Sequence, residues 1–211
     1  METAMPPRDE QDYEQRRQQI IDGALTAFST KGFAGASNKV IAAAAQIGSP
    51  ALIYHYFKDK IDLLYQVILT RMPLIELLDT TSNRLDLDPP IEELLPELLD
   101  NLIRILQADS TVALIKVVLM EALHNRQVAQ MVNEVGPGRG MKILADYLER
   151  QMDAGKLRRV DPQIAVRLLV GPILAYAVTR FFFEQPEAVK IDPAELTQQM
   201  VTHFLQGMQA I

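Results

Sequence analysis

Ser37-Asn38-Lys39-Val40-Ile41-Ala42-Ala43-Ala44-Ala45-Gln46-Ile47-Gly48-Ser49-Pro50-Ala51-Leu52-Ile53-Tyr54-His55-Tyr56-Phe57 spells two short helices and the turn between them. Ser37 is a good N-cap, and Val40, Ile41 and Ala44 follow at helical spacing up to Ala45. Gly48 permits a tight turn, Ser49 caps again, and Pro50 takes the first position of a second helix that runs to Tyr56. The lengths and the junction are those of a helix-turn-helix. Ile53 and Phe57 have the spacing of a core-facing pair, which leaves Pro50, Ala51, Leu52, Tyr54 and His55 to face outward. Solubility poorly explains a surface helix with so little charge and two outward rings. A major groove explains it better, because phenol, imidazole and small apolar groups meet phosphates, base edges and thymine methyls. Ser37 and Lys39 at the start of the first helix, and Lys60 at the start of the next, add donors at helix N-termini, where phosphate binds well.

Outward from this pair the chain reads as helix throughout, with apolar residues at a 3.6-residue period and no alternating strand pattern. Before it, Tyr13 to Lys31 predicts a helix burying Ile20, Ala24, Ala27 and Phe28, closed by Gly32. After it, Asp59 caps a helix with Asp62 in a capping-box position, running on through a kink at Pro73. Thr81–Pro90 is polar and reads as a loop. Helices are then expected over Ile91–Leu106 (disturbed at Pro96), Thr111–Leu123, a short continuation to Val135, and Met141–Met152 closed by Gly155. Gly136–Gly140 reads as a break. Asp161-Pro162 opens a long helix to about Glu184, and Asp192-Pro193 with Glu195 opens the last one. The fold expected is all-α: a flexible tail over residues 1–12, a three-helix DNA-binding domain over 13–60 and a larger helical domain over 61–211, with a helix over 59–79 linking them.

The formal net charge is −6, which alone argues against a nucleic-acid partner, but its distribution is uneven. Residues 1–75 hold eight Lys/Arg and eight Asp/Glu, so residues 76–211 carry all of the excess. Between Tyr13 and Lys60, six basic residues face three acidic ones. One segment is poised for a polyanion and the remainder would repel it. The 211 residues contain no cysteine, which excludes a disulfide scaffold, a thiolate metal site and a cysteine nucleophile. Three scattered histidines, His55, His124 and His203, make a histidine-rich metal site untenable, so neither metal nor cofactor is expected. Gly136–Lys142 lacks the spacing and the preceding strand of a phosphate loop. Neither H-E-x-x-H nor G-x-S-x-G occurs, and the chain reads as no enzyme. Arg167, Arg180 and the Gly171-Pro172 break make the apolar run Ile164–Phe183 a soluble helix rather than a bilayer span. The acidic, polar start lacks an apolar signal segment, so a cytoplasmic protein is expected.

Residues Arg17 to Leu64 resemble the DNA-binding domain of the TetR/AcrR family of bacterial transcription regulators. The resemblance runs through Ile20-Ile21, Ala24, Ala27-Phe28, Lys31-Gly32-Phe33, Ser37, Ile41-Ala42 and Ala45. It continues through Ser49-Pro50-Ala51-Leu52-Ile53-Tyr54-His55-Tyr56-Phe57-Lys58-Asp59-Lys60 to Leu63-Leu64. The turn departs from the family pattern. Where Ala-Gly-Val-Ser is frequent, this chain has Ala45-Gln46-Ile47-Gly48-Ser49, one residue longer with its glycine displaced. The resemblance implies that Ser49, Ala51, Tyr54 and His55 read DNA and that Lys60 clamps a phosphate.

It also implies a C-terminal domain that binds a small molecule and dimerises through its last two helices. The residues support this independently. The helix from Asp161 is apolar nearly all the way round, including Leu168, Tyr176 and Phe182, and so requires cover on every side. The last helix offers Leu196, Met200, Phe204 and Met208 at four-residue steps. Two such helices per subunit would form an isologous two-fold interface. Arg104, Lys116, His124, Tyr147, Tyr176 and Arg180, polar groups in apolar helices, together with Met120, are candidates for a pocket taking an amphipathic ligand. The expected partners are palindromic double-stranded DNA, a small-molecule effector and a second copy of the chain. The expected role is repression relieved by the ligand. An activator, or a helical ligand-binding protein without operator release, shares these features.

Overall fold

In the computed structural model of the chain, residues 8–209 are described, and they are helical apart from turns and a single antiparallel bridge between Leu157 and Gln209. They divide into two compact units, one of residues 8–72 with 113–132, the other of 73–112 with 133–209.

The first unit is built on α1 (Arg8–Gly35), α2 (Asn38–Ala44), a 3-10 turn over Pro50–Leu52 that continues into α3 (Ile53–Tyr56), and α4 (Lys60–Arg71). Ile20, Ile21, Ala24 and Phe28 of α1, Ile41 of α2, Ile53 and Phe57, and Leu63, Leu64 and Val67 of α4 are all buried. Gly23 lets α2 come close: a Cβ built there would lie 2.5 Å from the backbone nitrogen of Ala45. Across α1 and α4, the Arg71 guanidinium donates to Asp22 Oδ1 at 2.7 Å and to Gln18 Oε1 at 2.7 Å. Gly32, at φ 69° and ψ 168°, kinks α1 where its end was expected.

Of the expected tail 1–12, residues 1–7 lie outside the described residues, and Arg8 already starts α1. The linking helix 59–79 is two helices: Met72 is extended (φ −97°, ψ 110°), as a residue before proline prefers, and Pro73 starts a new one. The compact units also divide elsewhere than at residue 60, because the inner face of α4 is buried with α1.

The second unit holds α5 (Pro73–Leu85), α6 (Ile91–Leu106), α9 (Pro137–Asp153), α10 (Pro162–Ala177), α11 (Pro186–Val189) and α12 (Pro193–Gly207). Two helices lie mainly or partly in the first unit: α7 (Asp109–His124) and α8 (Arg126–Val135). Leu94, Leu95, Leu99 and Ile103 of α6, Leu144 and Leu148 of α9, and Val166, Leu169 and Ile173 of α10 form the core of the second unit. Asp161 and Asp192 cap α10 and α12, each accepting from a backbone N–H in the first turn. α6 runs unbroken through Pro96.

Two expectations are corrected here. Thr81–Leu85 is helical, the end of α5 rather than loop, with Thr81 and Leu85 buried. The break expected over Gly136–Gly140 is Gly136 alone: α8 ends at Val135, Gly136 (φ −120°, ψ −103°) caps α9 and Pro137 begins it. At Gly138 a Cβ would meet the Asn133 carbonyl at 2.6 Å, so that glycine permits close packing instead of interrupting the helix. The long helix continues past Ala177 as a π-helical turn over Val178–Phe182.

Substituting Gly23→Ala is expected to destabilise the chain by about 1–3 kcal/mol, since the new methyl must displace backbone rather than a flexible side chain. Urea unfolding of the two proteins at matched m-value checks it.

Candidate nucleic-acid interface

The reading head is an inward and an outward face of the same few residues. Ile53 and Phe57 are buried, and between them Tyr54 is 62% exposed, with Ala51 and His55 also exposed and Pro50 half-buried. Of the five residues expected to face outward, Ala51, Tyr54 and His55 do so, while Leu52 is half-buried like Pro50. Ser37 and Ser49 are exposed caps whose Oγ atoms accept from the backbone N–H of Val40 and Ala51. Capping uses the oxygen as acceptor and leaves each hydroxyl proton free to donate outward. The Lys39 side chain is exposed at the first turn of α2.

The longer turn has a definite geometry. Gln46 adopts φ 53°, its N–H donates to the Ala43 carbonyl, and the Ile47 N–H donates to the Ala42 carbonyl at 3.0 Å. Those two bonds are a Schellman closure of α2, with glutamine in the left-handed position that glycine favours. Ile47 is buried behind it and Gly48 needs no positive φ.

Lys60 is half-buried, its ammonium 4.4 Å from the centre of the Phe33 ring. Burial lowers its pKa from the ordinary lysine value, and the Glu121 carboxylate opposes that shift. The expected phosphate clamp is therefore already seated over an aromatic face.

Three contributors escaped the sequence reading. Asn38 Nδ2 donates to the Tyr54 phenol at 2.8 Å. Tyr13 packs its ring 4.6 Å from that of Tyr56, and the Arg17 guanidinium lies over Phe57 while donating to Gln66. All are contacts between elements, for which spacing along the chain carries no signal.

The seven residues expected at a ligand pocket belong to both units. Lys116, Met120 and His124 fall in the first unit, and Arg104, Tyr147, Tyr176 and Arg180 in the second. Met120 and His124 are exposed, the His124 Nδ1 lying 2.7 Å from the Met120 carbonyl. Lys116 is half-buried. Arg104 is exposed and donates to Asn101. Tyr176 is buried edge-on to Phe181, with Arg180 over the same ring. Tyr147 is a correction: its ring is fully buried and its hydroxyl donates to the Pro89 carbonyl at 2.7 Å, so it belongs to the core.

The expected dimer face survives in part. One side of α10 (Ala165, Val166, Leu169, Ile173, Tyr176) is buried in its own unit, and the other (Ile164, Leu168, Leu174, continued by Val178 of the π-helical turn) is exposed, Leu168 to 64%. Length and mean hydropathy (1.6) would suit Pro162–Phe182 to a bilayer, but that buried side makes it a core helix of the second unit. Leu196, Phe204 and Phe182 are half-buried. Tyr176 is buried within its own unit, a second correction, whereas Met200, though largely covered, reaches a groove wall. Between α10 and α12 lies a groove of about 410 Å³ walled by Leu168, Leu169, Pro172, Met200, Phe204 and Met208, with Arg158, Gln199 and His203 also lining it.

An all-helical chain carrying a helix-turn-helix head is the class that this fold and surface define. Comparison with known proteins narrows it. Residues 20–67 match the family described as bacterial regulatory proteins, tetR family, and residues 93–207 match the AefR-like transcriptional repressor C-terminal domain. The chain belongs to the TetR family of transcriptional regulators. It is a DNA-binding transcriptional regulator and not an enzyme. Among curated proteins none matches the sequence. Similar solved structures include a protein from Mesorhizobium loti MAFF303099 assigned to the TetR family (TM-score 0.75, 24% identity, 93% of this chain and 98% of that one). The Bacillus subtilis regulator FadR in complex with stearoyl-CoA gives TM-score 0.73 at 20% identity over 91% and 99%. The fatty acid degradation regulator FadR of Bacillus halodurans gives 0.70 at 21% over 91% and 99%. At such identities they show a shared fold.

The Tyr147 hydroxyl has its pKa pushed up to about 12, chiefly by burial, with Asp88 and Glu92 adding to it. A phenol whose folded value exceeds its unfolded value of about 10 contributes stability that is full below pH ~10 and lost as pH rises toward the folded value. Tyr147→Phe is therefore expected to flatten the fall in Tm across that alkaline range, measured against the parent by thermal melts.

Proposed function

We propose that the protein is a homodimeric repressor, cytoplasmic and bacterial, that holds a palindromic operator and is released from it by a small amphipathic molecule. The observation that carries the reading is the exposed, nearly uncharged face of Ala51, Tyr54 and His55 above the buried pair Ile53 and Phe57. Ser37, Lys39, Ser49 and Pro50 supply the flanking contacts, and Lys60 reaches a phosphate from its place over Phe33. The second copy of the chain covers the exposed apolar side of α10 and the groove beside α12. Its two-fold axis matches a palindrome, since half-sites mirror protein symmetry. The effector acts by binding one separation of the two reading heads more tightly than another, which shifts the population between them. A long-chain acyl-CoA, of the class present in the Bacillus subtilis structure, is the first effector to try.

Selection from a random double-stranded library is expected to enrich a palindrome, and failure to enrich any site at moderate salt would sink the reading. On the selected site, stearoyl-CoA is expected to reduce the shifted band. Lys60→Ala should weaken every sequence about equally and lower the slope of log affinity against log salt by about one. His55→Ala should instead change base preference. Leu168→Glu places a charge on the apolar stripe and is expected to yield monomers in sedimentation analysis with helicity unchanged; a parent protein that sediments as a monomer overturns the dimer.

A further inference from the structure

Asn38 and Tyr54 stand sixteen residues apart, on the two helices of the reading head, and are joined on its solvent side. The Asn38 carboxamide opens α2 one residue after the cap and is half-buried, whereas the Tyr54 ring is exposed. A phenol has one proton to donate and an oxygen that accepts. Here Nδ2 of Asn38 donates to that oxygen at 2.8 Å, so the accepting valence is engaged from within the protein. What remains for a partner is the phenolic proton. The bond also restrains an exposed ring that otherwise rotates freely, so less rotamer entropy is lost when a partner binds.

We propose that Asn38 is a positioning residue for DNA recognition: it holds the Tyr54 phenol as an outward donor, so that Tyr54 engages an acceptor atom of the duplex. The acceptor is a phosphate oxygen or a base-edge acceptor such as purine N7 or thymine O4. The inference rests on the DNA-reading role above and adds a residue absent from the surface that spacing picks out. Asn38 acts through Tyr54, and its effect vanishes when the phenol is removed.

The test is a double-mutant cycle on the duplex that the parent enriches from a random double-stranded library. Asn38→Ala and Tyr54→Phe are each expected to weaken binding about three- to tenfold, the worth of one hydrogen bond. The double variant should bind no worse than Tyr54→Phe alone, with Tm and salt slope unchanged, because neither residue displaces a counterion. A loss confined to sequences with one base at one position identifies a base-edge acceptor, and an equal loss on all sequences identifies a phosphate. If Asn38→Ala fails to fold, Asn38→Ser, too short to reach the phenol, carries the same expectation. Losses that multiply, or an Asn38→Ala protein that binds like a parent shown to select a site, overturn the inference while leaving the DNA-reading role standing. A parent that selects nothing removes both.

Discussion

The position of the second helix is set by a missing methyl group. Because Gly23 has no side chain, the backbone at Ala45 packs directly on α1, at a distance no other residue type would allow. With the end of α2 pinned there, the turn that follows drops Ile47 into the core formed by Ile20, Phe28 and Leu64. Ile53 and Phe57 then enter the same core from the next helix. The outward direction of Tyr54 and His55 is a by-product of that inward packing. The surface offered to DNA is in this sense the reverse side of a hydrophobic core, and a change in the core would reorient it without touching a single exposed residue.

Much of this arrangement was legible because it is written locally. Ser37, Ser49, Asp59, Asp161 and Asp192 mark helix starts by side-chain capping, and each caps in the structure. The pair Ile53 and Phe57 was legible for the same reason. Elsewhere conformation does not follow composition. Arg8–Asp12 is charged and without apolar period, yet it extends α1. Thr81–Leu85 is polar in part, yet helical. The glycines after Val135 resemble a hinge, but Gly138 is close-packed against Asn133 and Gly140 against Leu78. Tyr147 looked like a ligand contact because its partner, the Pro89 carbonyl, lies 58 residues away. The bond between Asn38 and Tyr54 was illegible for the same reason.

The head also shows how an acidic protein can face a polyanion. Six basic residues lie between Tyr13 and Lys60, but several are engaged within the fold: Arg17 over Phe57, Lys60 over Phe33, and Arg16 donating to Gln19. On the reading proposed above, long-range attraction is correspondingly modest, and discrimination falls to hydroxyls, a phenol and an imidazole at short range. Neutral donors of this kind gain little from low salt but lose much when misaligned.

The exposed side of α10 has a thermal consequence. Hydration entropy dominates the removal of Ile164, Leu168, Leu174 and Val178 from water near room temperature, with almost no enthalpy. Whatever surface covers that stripe is therefore held less firmly in the cold, and its docking carries a negative heat-capacity change. Chilling would loosen a copy docked on that stripe, the opposite of its effect on hydrogen-bonded contacts.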